Sequence, residues 1–109
     1  MLQDLPALAE EVLRAAEQAD MSVAAAESCT GGHIASLLTG VEGLSHMFEA
    51  GFITYSDKAK TDVLGIPTGD VERYGAVSRE VALAMAAGAM KNSRSRICLL
   101  YTSPSPRDS

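Results

Sequence analysis

Apolar positions in this chain follow two periods. Leu5, Leu8, Val12, Ala15 and Ala19 recur every three or four residues, which predicts an amphipathic helix over residues 5–19, with Asp4 able to cap its first turn and Pro6 tolerated there. Val23-Ala24-Ala25-Ala26 is a short, wholly apolar run, the pattern of a strand buried on both faces. The helical period returns from Gly31 to Leu38, with Ile34, Leu37 and Leu38 on one side and Gly40 placed to stop it, so residues 27–30 form a strand-to-helix turn. Phe48 to Tyr55 alternates loosely and predicts a second strand; Lys58 to Leu64 predicts a short helix closed by Gly65 and Pro67. One helical turn is expected at Asp70 to Tyr74, then a helix capped by Ser78 that carries Val81, Met85 and Ala89 on one face.

This alternation of helices and strands indicates an α/β layered domain, helix on sheet on helix. At 109 residues the chain holds one domain at most. With 47% hydrophobic and 21% charged residues and no Trp, the composition is that of a globular core packed with aliphatic side chains and alanine. A net charge of −5 with scattered Lys and Arg argues against nucleic acid as a partner. No apolar run approaches the ~20 residues of a membrane span, and the start lacks a signal-peptide layout, so a cytoplasmic location without membrane association is expected. Cys29 and Cys98 are too few and too far apart for a disulfide framework.

Candidate chemistry lies in two segments. In Ala26-Glu27-Ser28-Cys29-Thr30-Gly31-Gly32, hydroxyl residues and two glycines fall where a buried strand turns into a helix. Backbone N–H groups without intrahelical partners converge there and suit a phosphate, or the oxyanion of a tetrahedral intermediate if Ser28 attacks. The alternative is an ordinary capped turn, with Ser28 or Thr30 as the cap. In Tyr55-Ser56-Asp57-Lys58-Ala59-Lys60, a lysine with a lowered pKa could serve as base for a serine, and Tyr55 could orient the proton. The alternative is a pair of solvated lysines and a tyrosine with its hydroxyl at the surface. His33 and His46 read as surface histidines, and no cluster of His, Cys and Asp has metal-ligand spacing, so neither a metal nor another cofactor is expected.

Together the two segments resemble the CinA C-terminal family, whose hallmarks are an E-S-C-T-G-G turn and a Y-S-N-x-A-K strand exit. The first is present unchanged as Glu27 to Gly32; the second runs from Tyr55 to Lys60 with Asp57 in place of Asn. Gly43 to Gly51, Leu64-Gly65 and Tyr74 to Ser78 also match in order and spacing, and the resemblance covers about residues 5–96. Members of this family deamidate nicotinamide mononucleotide to nicotinate mononucleotide and ammonia. The resemblance thus implies a nicotinamide-nucleotide amidase with Ser28 as nucleophile, Lys60 as general base and Tyr55 in the same proton network. Cys29, Thr30, Gly31 and Gly32 would then bind substrate or oxyanion. It also implies a small-molecule nucleotide as partner and allows a homo-oligomer. A carboxylate at Asp57 would tend to keep a neighbouring lysine protonated. The competing expectation is a nucleotide-binding module without catalysis, in which the turn only holds phosphate, or an inactive fragment.

The family continues past the Ser78 helix into a strand and a T-G-x-A-G-P loop. This chain instead runs Cys98-Leu99-Leu100-Tyr101-Thr102-Ser103-Pro104-Ser105-Pro106-Arg107-Asp108-Ser109, a string that reads as translated sequencing-adapter DNA or as a disordered Ser/Pro tail. The expected division is a partial, truncated CinA C-terminal-like domain at residues 1–97 and a tail at 98–109, with an open substrate pocket and exposed apolar surface.

Overall fold

A computed structural model describes residues 4–28, 31–76 and 78–101. Its elements are α1 (Leu5–Ala19), β1 (Val23–Glu27), α2 (His33–Thr39), a 3₁₀ turn at Ser45–Met47, β2 (Phe48–Ile53), α3 (Asp57–Leu64), α4 (Asp70–Tyr74), α5 (Arg79–Lys91) and β3 (Ile97–Tyr101). The strands form one parallel sheet in the order β2-β1-β3. The central strand is buried at every residue, as its uninterrupted apolar run requires. Along β2 half-buried and exposed residues alternate, as befits an outer strand.

Helices cover both faces. Side chains of successive strand residues point to opposite sides. Val23 and Ala25 therefore pack with Ala9, Leu13 and Ala16 of α1 and Leu38 of α2. Ala26 faces the other way, onto Leu64, Ile66, Val71, Val81, Met85 and Ala89 around α3, α4 and α5. Phe52, Cys98 and Leu100 join that second layer from the flanking strands, and Ile97 and Leu99 join the first.

Most helix ends follow the local sequence. Ser56 Oγ accepts from Ala59 N at 3.0 Å at the start of α3, and Ser78 Oγ accepts from Val81 N at 3.2 Å at the start of α5. Gly65, at φ 75°, closes α3 in the left-handed conformation that glycine adopts without strain. The outer end of α1 departs from expectation, since Asp4 makes no side-chain cap.

The expected apolar stripe of α1 is also rotated. Ala9, Leu13 and Ala16 are the buried positions, whereas Leu8, Ala15 and Ala19 face outward. Two stripes one position apart overlap in this helix, and packing against β1 selects the one that carries Leu13. The sheet continues beyond the boundary drawn at residue 97: Cys98 to Tyr101 pair with Ala24 to Glu27. An apolar run beside a central strand has every backbone polar group on its inner side satisfied by the ladder. Residues 102–109 lie outside the described residues.

Candidate active site

Three side chains meet the carboxyl edge of β1 and β2 from one side of the sheet. Glu27 pairs with Ile53, and Thr54 N donates to Glu27 O at 3.0 Å, so the ladder brings Ser28 beside Thr54. Period-two alternation carries Ser28 and Thr54 to the face of Ala26 and Phe52, the face covered by α3 and α5. Both residues are buried. Lys60 approaches the same face from α3.

The burial of Lys60 follows from helical spacing. Lys60 and Leu64, four residues apart, form the inward side of α3. Lys58 lies on the outer side and pairs with Asp62 at 2.6 Å; that hydrogen bond, with the attraction of the carboxylate, raises the pKa of Lys58. Lys60 is only 1% exposed, and its Nζ donates to the Tyr55 carbonyl oxygen at 3.2 Å. A buried amine is costly unless its polar partners are in place. Ser56 helps to supply them, because its cap fixes the start of α3 directly after Tyr55. Asp57 is exposed in the first turn of α3, where a negative charge complements the helix dipole, and makes no ion pair among the described residues.

The turn after β1 is held by a residue to which the sequence assigned no role. The Glu27 carboxylate, buried with its strand, accepts from Ile34 N and Ala35 N, each at 2.9 Å. It thereby occupies the N-terminus of α2, whose cap residue is Gly32 and which has no side-chain cap of its own. A strand glutamate reaching forward thus holds the start of α2; Thr30, one of the two caps expected there, lies outside the described residues. The position of Glu27 in E-S-C-T-G-G, one residue inside the strand and on the α2 face, is the signal that could have found it.

Gly31 and Gly32 have φ of 65° and 101°. A Cβ on Gly32 would also lie 3.1 Å from Ile53 Cδ1. The backbone conformation favours glycine at both positions, and at Gly32 an added Cβ would also make the exposed end of Ile53 shift slightly. Cys29 and Thr30, expected at the substrate or oxyanion, lie outside the described residues.

Tyr55 contributes its backbone to the Lys60 contact. Its side chain is 74% exposed at the rim of the strand exit. Thr54 is fully buried, and its Oγ1 has no hydrogen-bond partner among the described residues. An unmatched buried hydroxyl costs about 1–3 kcal/mol. Such atoms are uncommon in folded proteins, and this one lies at the edge of the candidate site.

The surroundings contain less chemistry. His33 is exposed at the start of α2, and His46 contacts Glu17 at 3.3 Å on the surface. Cys98 is a free thiol whose pKa is raised by burial, which keeps it in its unreactive protonated form. No three His, Cys, Asp or Glu side chains among the described residues are grouped to hold a metal ion. No helix among them is long and apolar enough to cross a membrane. A cleft of about 430 Å³ between α3 and α4 is lined by Asp57, Asp62 and Glu72 against Lys58 alone among charged groups, a poor setting for a phosphate.

Residues 5–103 match the family model described as the CinA C-terminal domain. The chain belongs to this family. A CinA-like protein of Colwellia psychrerythraea is 51% identical over 90 residues, covering 82% of this chain and 21% of that protein. The nicotinamide-nucleotide amidohydrolase PncC of Escherichia coli is 42% identical over 91 residues, covering 84% of this chain and 55% of PncC.

Among solved CinA-superfamily structures, the competence/damage inducible protein CihA of Agrobacterium tumefaciens superposes with a TM-score of 0.84 at 40% identity, covering 94% of this chain and 64% of that one. A CinA superfamily protein from Escherichia coli gives a TM-score of 0.75 at 34% identity, covering 92% and 56%. The chain thus spans about a fifth of the CinA-like protein and about half of PncC. The α/β fold and the family expected from the sequence are those found.

Proposed function

We propose that this CinA C-terminal domain is of the nicotinamide-nucleotide amidase type and hydrolyses the carboxamide of nicotinamide mononucleotide to nicotinate mononucleotide and ammonia. The observation that carries this reading is the burial of Lys60, with its Nζ held at Tyr55 O, beside the exit of β2, next to the exit of β1 where Ser28 is buried. The 42% identity to PncC supplies the substrate class.

The strand order supports the location. In an open α/β sheet, ligands bind beyond the carboxyl ends of the strands where successive connections leave in opposite directions. In the order β2-β1-β3 that point lies between β1 and β3, so Ser28, at the exit of the central strand, borders it, and Lys60 reaches in from the β2 side.

In the reaction, Ser28 Oγ attacks the carboxamide carbon while Lys60 Nζ takes the serine proton. Binding of the oxyanion falls to the E-S-C-T-G-G turn, the role that the family resemblance gives to Cys29, Thr30, Gly31 and Gly32. Lys60 returns the proton to the amide nitrogen, the C–N bond breaks and ammonia leaves. Water, deprotonated by the same amine, then attacks the acyl-serine, releasing nicotinate mononucleotide and restoring Ser28. Tyr55, at the rim, is placed to meet the substrate as it enters.

The test is Ser28→Ala in the full-length protein, assayed for ammonia release from nicotinamide mononucleotide. Activity is expected to fall by at least 10³-fold, as when a nucleophile is removed, with the circular dichroism spectrum unchanged. Undiminished deamidation removes Ser28 from the role. A wild-type protein that binds the nucleotide without turnover favours the non-catalytic module.

A further inference from the structure

Thr54 gives the proposed base an orientation. A lysine that takes a proton from serine must first be neutral, and a neutral amine has two N–H bonds and one lone pair. The lone pair points at Ser28 only if both N–H bonds are held elsewhere. Tyr55 O, 3.2 Å from Lys60 Nζ, is one acceptor. A second is needed, and burial of Lys60 denies it to bulk water.

The residue next to Tyr55 carries a suitable atom. Thr54 Oγ1 is fully buried, is without a partner among the described residues, and lies on the sheet face that α3 covers. The ladder ends one residue before Thr54, at Glu27 and Ile53, and Thr54 N donates to Glu27 O, which places Thr54 beside the exit to Ser28. We infer that Thr54 is a positioning residue for Lys60: Thr54 Oγ1 accepts one N–H of the neutral amine, Tyr55 O accepts the other, and the lone pair is left facing Ser28 Oγ. The inference rests on the Ser28–Lys60 reading above. It explains why a hydroxyl stands where Val would complete the apolar layer, and why Lys60 is anchored to backbone beside it.

The experiment uses a fluorophosphonate probe, which reacts with an activated serine whether or not a nucleotide is turned over. The full-length protein and its Thr54→Val and Thr54→Ser variants are labelled over a range of probe concentrations, with mass spectrometry locating the adduct. Labelling of Ser28 in the wild type is expected. In Thr54→Val, isosteric but without the hydroxyl, the maximal labelling rate should fall on the order of tenfold, as for one lost hydrogen bond at a reacting centre. Half-saturation should stay unchanged, and Thr54→Ser should restore most of the rate.

Equal rates in the wild type and Thr54→Val overturn the inference and leave the Ser28–Lys60 reading standing. Absence of any Ser28 adduct in the wild type overturns both. If Thr54→Val does not fold, the contrast between Thr54→Ala and Thr54→Ser decides in the same way: a slow Ala variant with a fast Ser variant supports the role, and two equal rates oppose it.

Discussion

Glu27 shows how much of the site depends on one side chain outside the proposed chemistry. Its backbone closes the sheet ladder to Thr54, and its carboxylate holds the first turn of α2, so both sides of the Ser28 turn are fixed by one residue. Hydrogen bonds to a charged group contribute about 1.5–3 kcal/mol each in favourable settings, and here two donors are orphaned together. Glu27→Ala is therefore expected to cost about 3 kcal/mol. Glu27→Gln, which keeps one acceptor oxygen in place but loses the charge, should cost about 1 kcal/mol. Urea unfolding at constant slope measures both. Equal midpoints for Glu27→Ala and the wild type refute the anchoring role. This residue was not legible as an anchor in the sequence, because a capping glutamate is sought within or just before its helix, and Glu27 precedes His33 by a whole turn. Thr54 escaped notice for a related reason: a threonine at a strand end has high β-propensity, and nothing in a sequence shows that its hydroxyl is unmatched. Lys60, by contrast, was singled out through its register with the family motif; spacing alone separates it from Lys58 but does not say which of the two turns inward.

Among the elements, the pairing of α3 with α5 sets where Lys60 sits, and it turns on Gly88. Glycine within a helix ordinarily costs about 0.5–1 kcal/mol relative to alanine, so Gly88→Ala would stabilise α5 if space allowed. Space does not allow it. A Cβ at Gly88 would collide with the Leu64 carbonyl oxygen and lie 2.9 Å from Leu64 C and 3.0 Å from Leu64 Cβ, and the first two are backbone atoms that cannot rotate away. Overpacking of this kind costs about 1–3 kcal/mol and outweighs the gain in propensity. Gly88→Ala should lower the urea midpoint by a net destabilisation of about 1–2 kcal/mol. An increase in stability means that α3 and α5 separate without penalty. The small residues of α5 are a sign of close contact in the sequence itself, α5 starts at its predicted Ser78 cap, and the one-turn α4 spans the predicted Asp70 to Tyr74. The stripe of α1 was misread because Leu8 and Leu13 are equally apolar, and only the position of β1 decides between them. β3 was obscured by its continuation into a tail unlike a folded segment, although Ile97 to Tyr101 is by itself an apolar strand pattern.

The molecule as a whole is one sheet between two cores, and β1 is the wall they share. Ala25 faces the α1–α2 layer and Ala26 the α3–α5 layer, both at 0% exposure. Alanine in these positions lets helices approach the sheet closely, so enlarging either residue overpacks one layer at about 1–3 kcal/mol. The two losses should be similar in size. Their effects on the site should differ. Ala26→Leu pushes against Leu64, Ile66 and Met85, which seat α3, and so displaces Lys60 relative to Ser28. Ala25→Leu pushes against Leu13 and Leu38 on the far side. If Ser28 is activated from the α3 face, fluorophosphonate labelling should slow markedly in Ala26→Leu and much less in Ala25→Leu, at matched fractions folded. Equal slowing means that the sheet transmits strain between its layers, and the position of α3 alone does not govern the serine. Slowing confined to Ala25→Leu places the controlling contact on the α2 face, where the Glu27 anchor lies, and moves the base away from Lys60.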